Sequence, residues 1–124
     1  FYKDVINELL NFFDKKINLA KTIGLRDDQI IIDPGLGFGK RIEDNDVIIN
    51  NLEKLKSFGY PLMVGLSRKS FLSNNNFPKD RLPATLGATV IAINNGADII
   101  RTHDINDTFN MISTINRIYN SVYK

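Results

Sequence analysis

The sequence predicts an α/β fold with a parallel sheet, and three observations lead to this class. Three short apolar runs alternate along the chain with longer segments in which apolar residues recur at helical spacing. Strands that alternate with helices are typical of parallel sheets joined by crossover helices. Each apolar run also ends in a polar cluster, and the carboxyl ends of parallel strands meet at one edge of a sheet. The sequence therefore predicts a ligand site at that edge.

The first predicted helix covers about residues 2–23, and a strand over residues 29–33 follows it. Gly24 is placed to end the helix, because glycine readily takes the left-handed conformation found after helix C-termini. The strand ends on Asp33 and leads into a glycine-rich loop. Polar residues separate the apolar positions of the helix, which predicts a buried face made of Val5, Ile6, Leu9, Phe13, Ile17 and Ala20.

The second unit has a helix from about residue 46 to Gly59 and a strand over residues 62–66. Pro61 prevents the helix from continuing. The strand runs into the polar cluster 67–70, so a second strand end delivers polar side chains. The predicted buried face of this helix consists of Ile48, Leu52 and Leu55.

The third unit has a helix over residues 83–95, a strand over residues 98–101 and a last helix over residues 106–122. Pro83 suits the first turn of its helix. The strand closes on the polar residues 102–104. The predicted buried faces are Leu86, Val90 and Ile93 in the third helix and Phe109, Ile112, Ile115 and Tyr119 in the last helix.

The glycine-rich loop 33–40 does not fit either common phosphate motif. A P-loop would need a glycine at Pro34 and a serine or threonine at Arg41, and a dinucleotide fingerprint would need a glycine at Lys40. An ordinary turn in which Asp33 caps the loop amides is therefore a real alternative to a binding role.

A three-stranded parallel sheet alone would leave its edges unpaired, which favours a larger architecture. The candidates are a doubly wound sheet and a (β/α)₈ barrel, and the missing phosphate fingerprints favour the barrel. Residues 1–124 are then expected to be the C-terminal half of a barrel domain, with strands six to eight and their flanking helices. The chain also begins with Phe1 and directly enters a helical pattern, which suggests a piece of something longer.

Composition narrows the class of protein. The 124 residues are 43% hydrophobic, enough for one core, and the net charge of +2 comes without a basic stripe, so small-molecule chemistry is favoured over nucleic acid. There are no cysteines, which excludes disulfides and zinc–thiolate sites. The longest apolar runs are far too short for a membrane span, so we expect a cytoplasmic protein.

Three blocks together resemble the dihydropteroate synthase family of pterin-binding TIM barrels. They are Asp-Pro-Gly-Leu-Gly-Phe-Gly-Lys at 33–40, Gly-Leu-Ser-Arg-Lys-Ser at 65–70 and Arg-Thr-His-Asp at 101–104. Ala84, Thr102 and Leu36 differ from residues common in the family, and none of the three was expected to touch a substrate. The resemblance implies condensation of 6-hydroxymethyl-7,8-dihydropterin diphosphate with 4-aminobenzoate, in folate biosynthesis and as a sulfonamide target.

The resemblance implies a role for each residue that it aligns. Asp33 would bind the N–H and amino groups of the pterin, and Lys69 would contact both pterin and aminobenzoate. Ser70 would hold the aminobenzoate carboxylate at a helix start. Phe38 would flank the aminobenzoate pocket, with core packing as its alternative.

The diphosphate would be bound by Arg101, which also contacts the pterin, and by His103; these two and Lys69 would be the catalytic residues. Arg68 is expected to be a solvated or ion-paired surface residue and Lys40 a solvated loop cation. Asp104 either orients His103 or caps the last helix. Mg²⁺ is implied as cofactor, with its ligand outside this sequence and no metal ligand within it. A homodimer is also implied, with no nucleic acid or membrane partner.

Two other functions stay open from the sequence. One is a related methyltransferase-type pterin barrel, and the other is a non-catalytic paralogue. The intact blocks favour the synthase over both. Without the first five strands, we expect the isolated chain to be inactive.

Overall fold

The computed structural model describes residues 4–37, 40–72 and 77–123 and has an α/β arrangement. No helix in these ranges is long and apolar enough to cross a membrane. Several short 3₁₀ turns lie between the main elements. In chain order these elements are α1 (Val5–Thr22), α2 (Ile42–Asn50), β1 (Met63–Gly65), α3 (Leu82–Asn94), β2 (Ile99–Arg101) and α4 (Ile105–Tyr119).

The strands pair in parallel, as predicted. Met63 of β1 lies opposite Ile99 of β2, and Gly65 lies opposite Arg101. The first predicted strand is much shorter than expected, because only Ile32 forms a parallel bridge, with Leu62.

A 3₁₀ turn replaces the start of that first strand. The turn covers Asp27–Gln29, and the side-chain oxygen of Gln29 accepts a hydrogen bond from the backbone N–H of Arg26 at 3.0 Å. This local bond competes with strand pairing. Predicting a strand over residues 29–33 was therefore wrong in its first half.

The two faces of this small sheet differ strongly in burial. Side chains alternate between faces along a strand. Ile32, Leu62 and Val64 lie on one face and are at most 2% exposed, because they pack against the helices. The neighbouring positions, among them Asp33 and Arg101, lie on the other face and are more accessible. Asp33 and Arg101 therefore lie on the face of the sheet that is turned away from the helices.

The helix between the first two strands begins and ends differently from the prediction. It begins at Ile42 rather than near residue 46, because Arg41 and Asp44 pair across its first turn. A 3₁₀ segment, Leu52–Phe58, completes it, and Gly59 ends it in the left-handed conformation. The predicted buried face is confirmed, since Ile48, Leu52 and Leu55 are at most 1% exposed.

The buried faces of α3 and α4 were predicted wrongly. In α3 the buried residues are Thr85, Thr89 and Ala92, one position away from the predicted set. The helix is apolar on nearly all sides, so periodicity does not identify its inner face. In α4 the buried residue is Thr108, whereas Phe109 and Tyr119 are each 67% exposed.

Two glycines provide a matched test of backbone conformation. Gly59 has φ +82°, and Gly87 lies within α3 with open space around its Cβ position. We expect Gly59→Ala to lower the free energy of unfolding by roughly 1–2 kcal/mol, because alanine is strained in the left-handed region. We expect Gly87→Ala to raise it by roughly 0.5–1 kcal/mol. Urea unfolding of the protein checks both expectations. Equal effects of the two substitutions would contradict a left-handed Gly59 and a helical Gly87.

Candidate functional site

The three segment ends that carry the predicted site lie side by side. The bridge between Ile32 and Leu62 places Asp33 beside β1, and the register of β1 and β2 places Arg101 beside Gly65. The loop after β1 carries Lys69. The parallel pairing thus gathers a carboxylate, an ammonium and a guanidinium at one edge of the sheet.

Asp33 caps its own loop with one oxygen. Its Oδ1 accepts a hydrogen bond from the backbone N–H of Gly35 at 2.8 Å. Among the described residues, Oδ2 has no hydrogen-bond partner. The cap that the sequence left as an alternative is therefore formed, and one carboxylate oxygen remains accessible for a ligand.

Lys69 crosses from the loop after β1 to the glycine-rich loop. Its Nζ donates to the backbone oxygen of Leu36 at 2.5 Å, and its stem lies against Gly37. Burial lowers the pKa of the Lys69 ammonium, Arg101 lowers it further and Asp33 opposes the shift. Asp33 and Arg101 therefore both act electrostatically on Lys69, although the three residues come from three different segments.

Lys40 is part of the site, so its expected role as a solvated surface cation was wrong. Its Nζ donates to the backbone oxygen of Gly35 at 2.9 Å. Burial lowers the pKa of Lys40, while Asp33 and Asp44 raise it. A cleft of about 600 Å³ brings Lys40 and Asp33 together with the apolar side of α1.

A second cleft, of about 430 Å³, lies on the other side of Lys40. Asn45 shapes it, because this fully buried side chain accepts a hydrogen bond from the backbone N–H of Gly37 at 2.8 Å. Gly37 itself has φ +85°, which favours glycine. The lining residues are Leu36, Gly37, Lys40, Ile42, Asn45, Lys69, Ser70 and Phe71.

Ser70 lines this second cleft, but no helix of useful length begins there among the described residues. The segment Ser70–Leu72 is a single 3₁₀ turn, and α3 begins only at Leu82. The expected helix dipole at Ser70 was therefore wrong, since one 3₁₀ turn sums too few peptide dipoles. Phe38, predicted to flank the aminobenzoate pocket, lies outside the described residues.

The guanidinium of Arg101 lies across β1 at Gly65. A Cβ atom added at Gly65 would be 2.5 Å from Nη2 of Arg101 and 3.0 Å from Cζ. Only glycine leaves room for this arrangement. Gly65 belongs to the second sequence block. Its contact with the guanidinium of Arg101 depends on strand register, so the sequence alone could not predict it.

His103 is held by Ser67, which the sequence analysis gave no role. The Oγ of Ser67 accepts the backbone N–H of His103 at 3.0 Å and lies 3.0 Å from its Nδ1. Ser67 is 6% exposed, whereas His103 is exposed. The buried hydroxyl therefore fixes the orientation of an accessible imidazole.

Arg68 and Asp104 form a two-point ion pair between the loops after β1 and β2. Arg68 Nη2 donates to Asp104 Oδ1 at 2.6 Å, and Nε donates to Oδ2 at 3.1 Å. Asp104 is the N-cap residue of α4, and its backbone oxygen accepts the N–H of Thr108 at 2.9 Å, but its side chain makes no capping hydrogen bond. Of its two expected roles, capping is therefore confirmed for the backbone only. The pair with Asp104 agrees with the expectation of an ion-paired Arg68.

The backbone of Arg68 is itself constrained. Its φ is +57°, an uncommon value for a residue with a side chain. Thr85 Oγ1 accepts its backbone N–H at 3.1 Å, and Arg81 donates to its backbone oxygen at 2.8 Å. These bonds offset the strain and fix the direction in which the chain enters Lys69.

In the described part of the chain, no group of three or more His, Cys, Asp or Glu side chains could hold a metal ion. The residues at this edge therefore do not fit a protein-held Mg²⁺ site.

Comparison with known proteins gives the family. Residues 1–103 match the sequence model of the family described as "Pterin binding enzyme". The chain belongs to the pterin binding enzyme family.

Relatives within the pterin binding enzymes are dihydropteroate synthases, as the resemblance predicted. That of Clostridium beijerinckii is 44% identical over 107 residues, which are 84% of this chain and 40% of the relative. The synthase of Synechocystis is 43% identical over 107 residues, 84% of this chain and 37% of the relative. The chain thus spans about 40% of the length of the curated relatives it matches.

A solved structure agrees with these relatives. The dihydropteroate synthase from Xanthomonas albilineans, in complex with 7,8-dihydropteroate, has a TM-score of 0.95 and 30% sequence identity. The match covers 98% of this chain and 48% of that chain. Such enzymes are TIM barrels, so the α/β class of the prediction is confirmed.

The pair of Arg68 and Asp104 gives a pH-dependent prediction. The Arg68 guanidinium holds the pKa of Asp104 below its usual value of 3.8. A carboxylate with a lowered folded pKa stabilises the fold above its unfolded pKa, and this contribution is lost as pH falls through the folded pKa. We expect Asp104→Asn to be less stable than wild type at pH 7, with the difference shrinking below about pH 4.

Urea unfolding at pH 7 and at pH 3 checks this expectation. Arg68→Met serves as the control background, because Asp104→Asn should then cost much less in a double-mutant cycle. A difference that is the same at both pH values would contradict a contribution from the ionised carboxylate.

Proposed function

We propose that this chain supplies the pterin, aminobenzoate and diphosphate contacts of a dihydropteroate synthase. The observation that carries the proposal is the electrostatic group of Asp33, Lys69 and Arg101, contributed by three adjacent segment ends. The reaction condenses 6-hydroxymethyl-7,8-dihydropterin diphosphate with 4-aminobenzoate and releases diphosphate, as a step in folate biosynthesis. Sulfonamides would compete for the aminobenzoate position.

Asp33 would recognise the pterin. With Oδ1 fixed by the backbone N–H of Gly35, the carboxylate presents Oδ2, and each oxygen has a second lone pair for the adjacent N–H and amino groups of the ring. Charge-assisted bonds of this kind are short and directional. Lys69, whose ammonium is favoured by the nearby Asp33 carboxylate, would donate to the ring carbonyl.

The aminobenzoate would occupy the second cleft. Phe71 offers an aromatic wall, and the hydroxyl of Ser70 offers a donor for the carboxylate. Lys69 and Lys40 line the same cleft and would balance the anionic charge. Phe38 is proposed for the opposite wall from the family resemblance.

The diphosphate would bind at Arg101 and His103. A guanidinium can hold two phosphate oxygens at once, and the imidazole adds a further donor. Loss of diphosphate would leave a pterin-stabilised cation that the arylamine captures, without a covalent enzyme intermediate. Catalysis would then be mainly electrostatic, through Lys69, Arg101 and His103, together with positioning of the two substrates.

The whole protein is proposed to be a homodimeric, cytoplasmic TIM barrel in which residues 1–124 form the C-terminal half, with strands six to eight. The match to about 40% of each curated relative supports a partial barrel, and the C-terminal position is proposed from the family resemblance. Mg²⁺ is proposed as cofactor with its ligand outside this chain. The isolated chain is expected to be inactive.

Binding to a completed barrel tests the function. The completed barrel is the N-terminal portion of the Clostridium beijerinckii synthase joined to this chain. Isothermal titration with a 6-hydroxymethyl-pterin diphosphate analogue and Mg²⁺ should show binding, and assay with 4-aminobenzoate should show dihydropteroate formation. Pterin binding without turnover would favour a methyltransferase-type barrel, and no binding would favour a non-catalytic paralogue.

Asp33→Asn should weaken pterin binding on the order of 100-fold, because it replaces two charge-assisted bonds with one neutral acceptor and a misplaced donor. Asparagine can still accept the backbone N–H of Gly35, so the loop should keep its conformation. Titration of the completed barrel measures the loss, with Asp46→Asn at an exposed position of α2 as matched control. Equal affinity of the two variants would contradict a pterin role for Asp33.

Gly65→Ala should displace the guanidinium of Arg101, because the new methyl group would lie 2.5 Å from Nη2. We expect roughly tenfold weaker binding of inorganic diphosphate, equivalent to losing one charge-assisted hydrogen bond. Affinity for a pterin without phosphates should change less. Gly87→Ala in α3 is the control, and a parallel loss of both affinities would indicate general disruption instead.

A further inference from the structure

The buried hydroxyls behind His103 form a continuous chain. Thr108 Oγ1 lies 3.2 Å from Thr102 Oγ1, which lies 3.3 Å from Ser67 Oγ, which lies 3.0 Å from His103 Nδ1. Thr108 and Ser67 are 4% and 6% exposed. The chain therefore runs from the inside of α4 to an exposed ring.

Two backbone N–H groups restrict how the protons can be arranged. Thr102 Oγ1 accepts the N–H of Asp104 at 3.0 Å, and Ser67 Oγ accepts the N–H of His103 at 3.0 Å. A hydroxyl has one proton to donate and two lone pairs to accept with. Each of these two hydroxyls therefore has one acceptor position and one proton left.

Thr108 sets the direction of the chain. Its only side-chain partner among the described residues is Thr102 Oγ1, so its buried proton must be donated there. Thr102, with both lone pairs then used, must donate to Ser67. Ser67, likewise saturated as an acceptor, has only Nδ1 of His103 as a recipient for its proton.

The reverse direction is unfavourable because it leaves a buried hydroxyl proton without an acceptor in the described part of the chain. If Nδ1 carried a proton and donated to Ser67, Ser67 would donate to Thr102 and Thr102 to Thr108. The proton of the Thr108 hydroxyl would then be buried without an acceptor among the described residues, which costs roughly the desolvation of a polar group.

We propose that Thr108, Thr102 and Ser67 are positioning residues that hold His103 with its proton on Nε2, so that Nε2–H is the donor offered to an anion. Thr102 stands where a valine is frequent in the family, and its hydroxyl supplies the middle of this hydrogen-bond chain. The identity of the anion as diphosphate rests on the proposed function. The proton arrangement does not depend on it.

Nitrogen-15 NMR of the ligand-free completed barrel tests the proton arrangement directly. His103 is the one histidine of this chain, so labelling this segment alone gives a single pair of ring nitrogen signals. We expect Nδ1 to be unprotonated and hydrogen-bonded and Nε2 to carry the proton. A protonated Nδ1 in the wild-type protein would overturn the proposal, and this result needs no variant.

Variants test whether the hydroxyl chain is responsible. Thr102→Val keeps the shape but frees one acceptor position on Ser67, so the Nδ1 signal should shift toward its protonated form. Thr102→Ser should restore the wild-type signal. Thr114→Val, an exposed threonine on α4, is the matched control. Identical Nδ1 signals for Thr102→Val and Thr114→Val would overturn the proposal.

Binding of inorganic diphosphate tests the use of the donor. Ser67→Ala should weaken it by about tenfold, since the imidazole loses the bond that orients it. Binding of a phosphate-free pterin should stay unchanged. If the wild-type protein binds neither pterin nor diphosphate, the proposed function fails, whereas the NMR signals still decide the proton arrangement. Equal diphosphate affinity of Ser67→Ala and wild type would overturn the role of the ring as an anion donor.

Discussion

Parallel pairing of the segment around β1 is the constraint on which the rest of this structure depends. The backbone oxygen of Leu62 accepts the N–H groups of Asp98 and Ile99 at 2.8 and 3.1 Å. On the other side, the N–H of Met63 donates to the oxygen of Ile32 at 2.8 Å. Because both neighbours are in register with β1, all three segments end at one level and their loops converge.

Glycines leave room for the charged side chains where these three segments end. At Gly65 the absence of a side chain gives the guanidinium of Arg101 a place across the strand. At Gly37 the absence of a side chain leaves room for the stem of Lys69. The site is therefore shaped as much by missing side chains as by the charged ones, and larger residues at either position would push the cations out of place.

In the proposed function, the charges at this edge favour an anionic ligand. Burial disfavours the charged form of Lys69, and Arg101 and Lys40 disfavour it further. A bound diphosphate or carboxylate would relieve this repulsion, so the fold holds an arrangement that becomes more favourable on binding. The ion pair of Arg68 and Asp104 adds rigidity between the loops after β1 and β2.

Much of the fold and of the site could be predicted from sequence, and the exceptions share a physical cause. Asp33, Lys69, Arg101 and His103 stood out because they follow apolar strands in recognisable blocks. Gly65 and Ser67 lie in the second block and Asn45 lies outside all three, but the roles of these residues come only from contacts with distant partners. Periodicity also failed for α3, since its apolar residues surround the helix.

The sequence by itself determined the α/β class, the order of helices and strands, and the family, because these follow from local periodicity and from side chains at strand ends. The tertiary structure decided which partners those side chains have. It paired Asp104 with Arg68, 36 residues away along the chain, and brought Thr102 and Thr108 behind Ser67. Such pairings depend on strand register and helix rotation, which one-dimensional patterns do not specify.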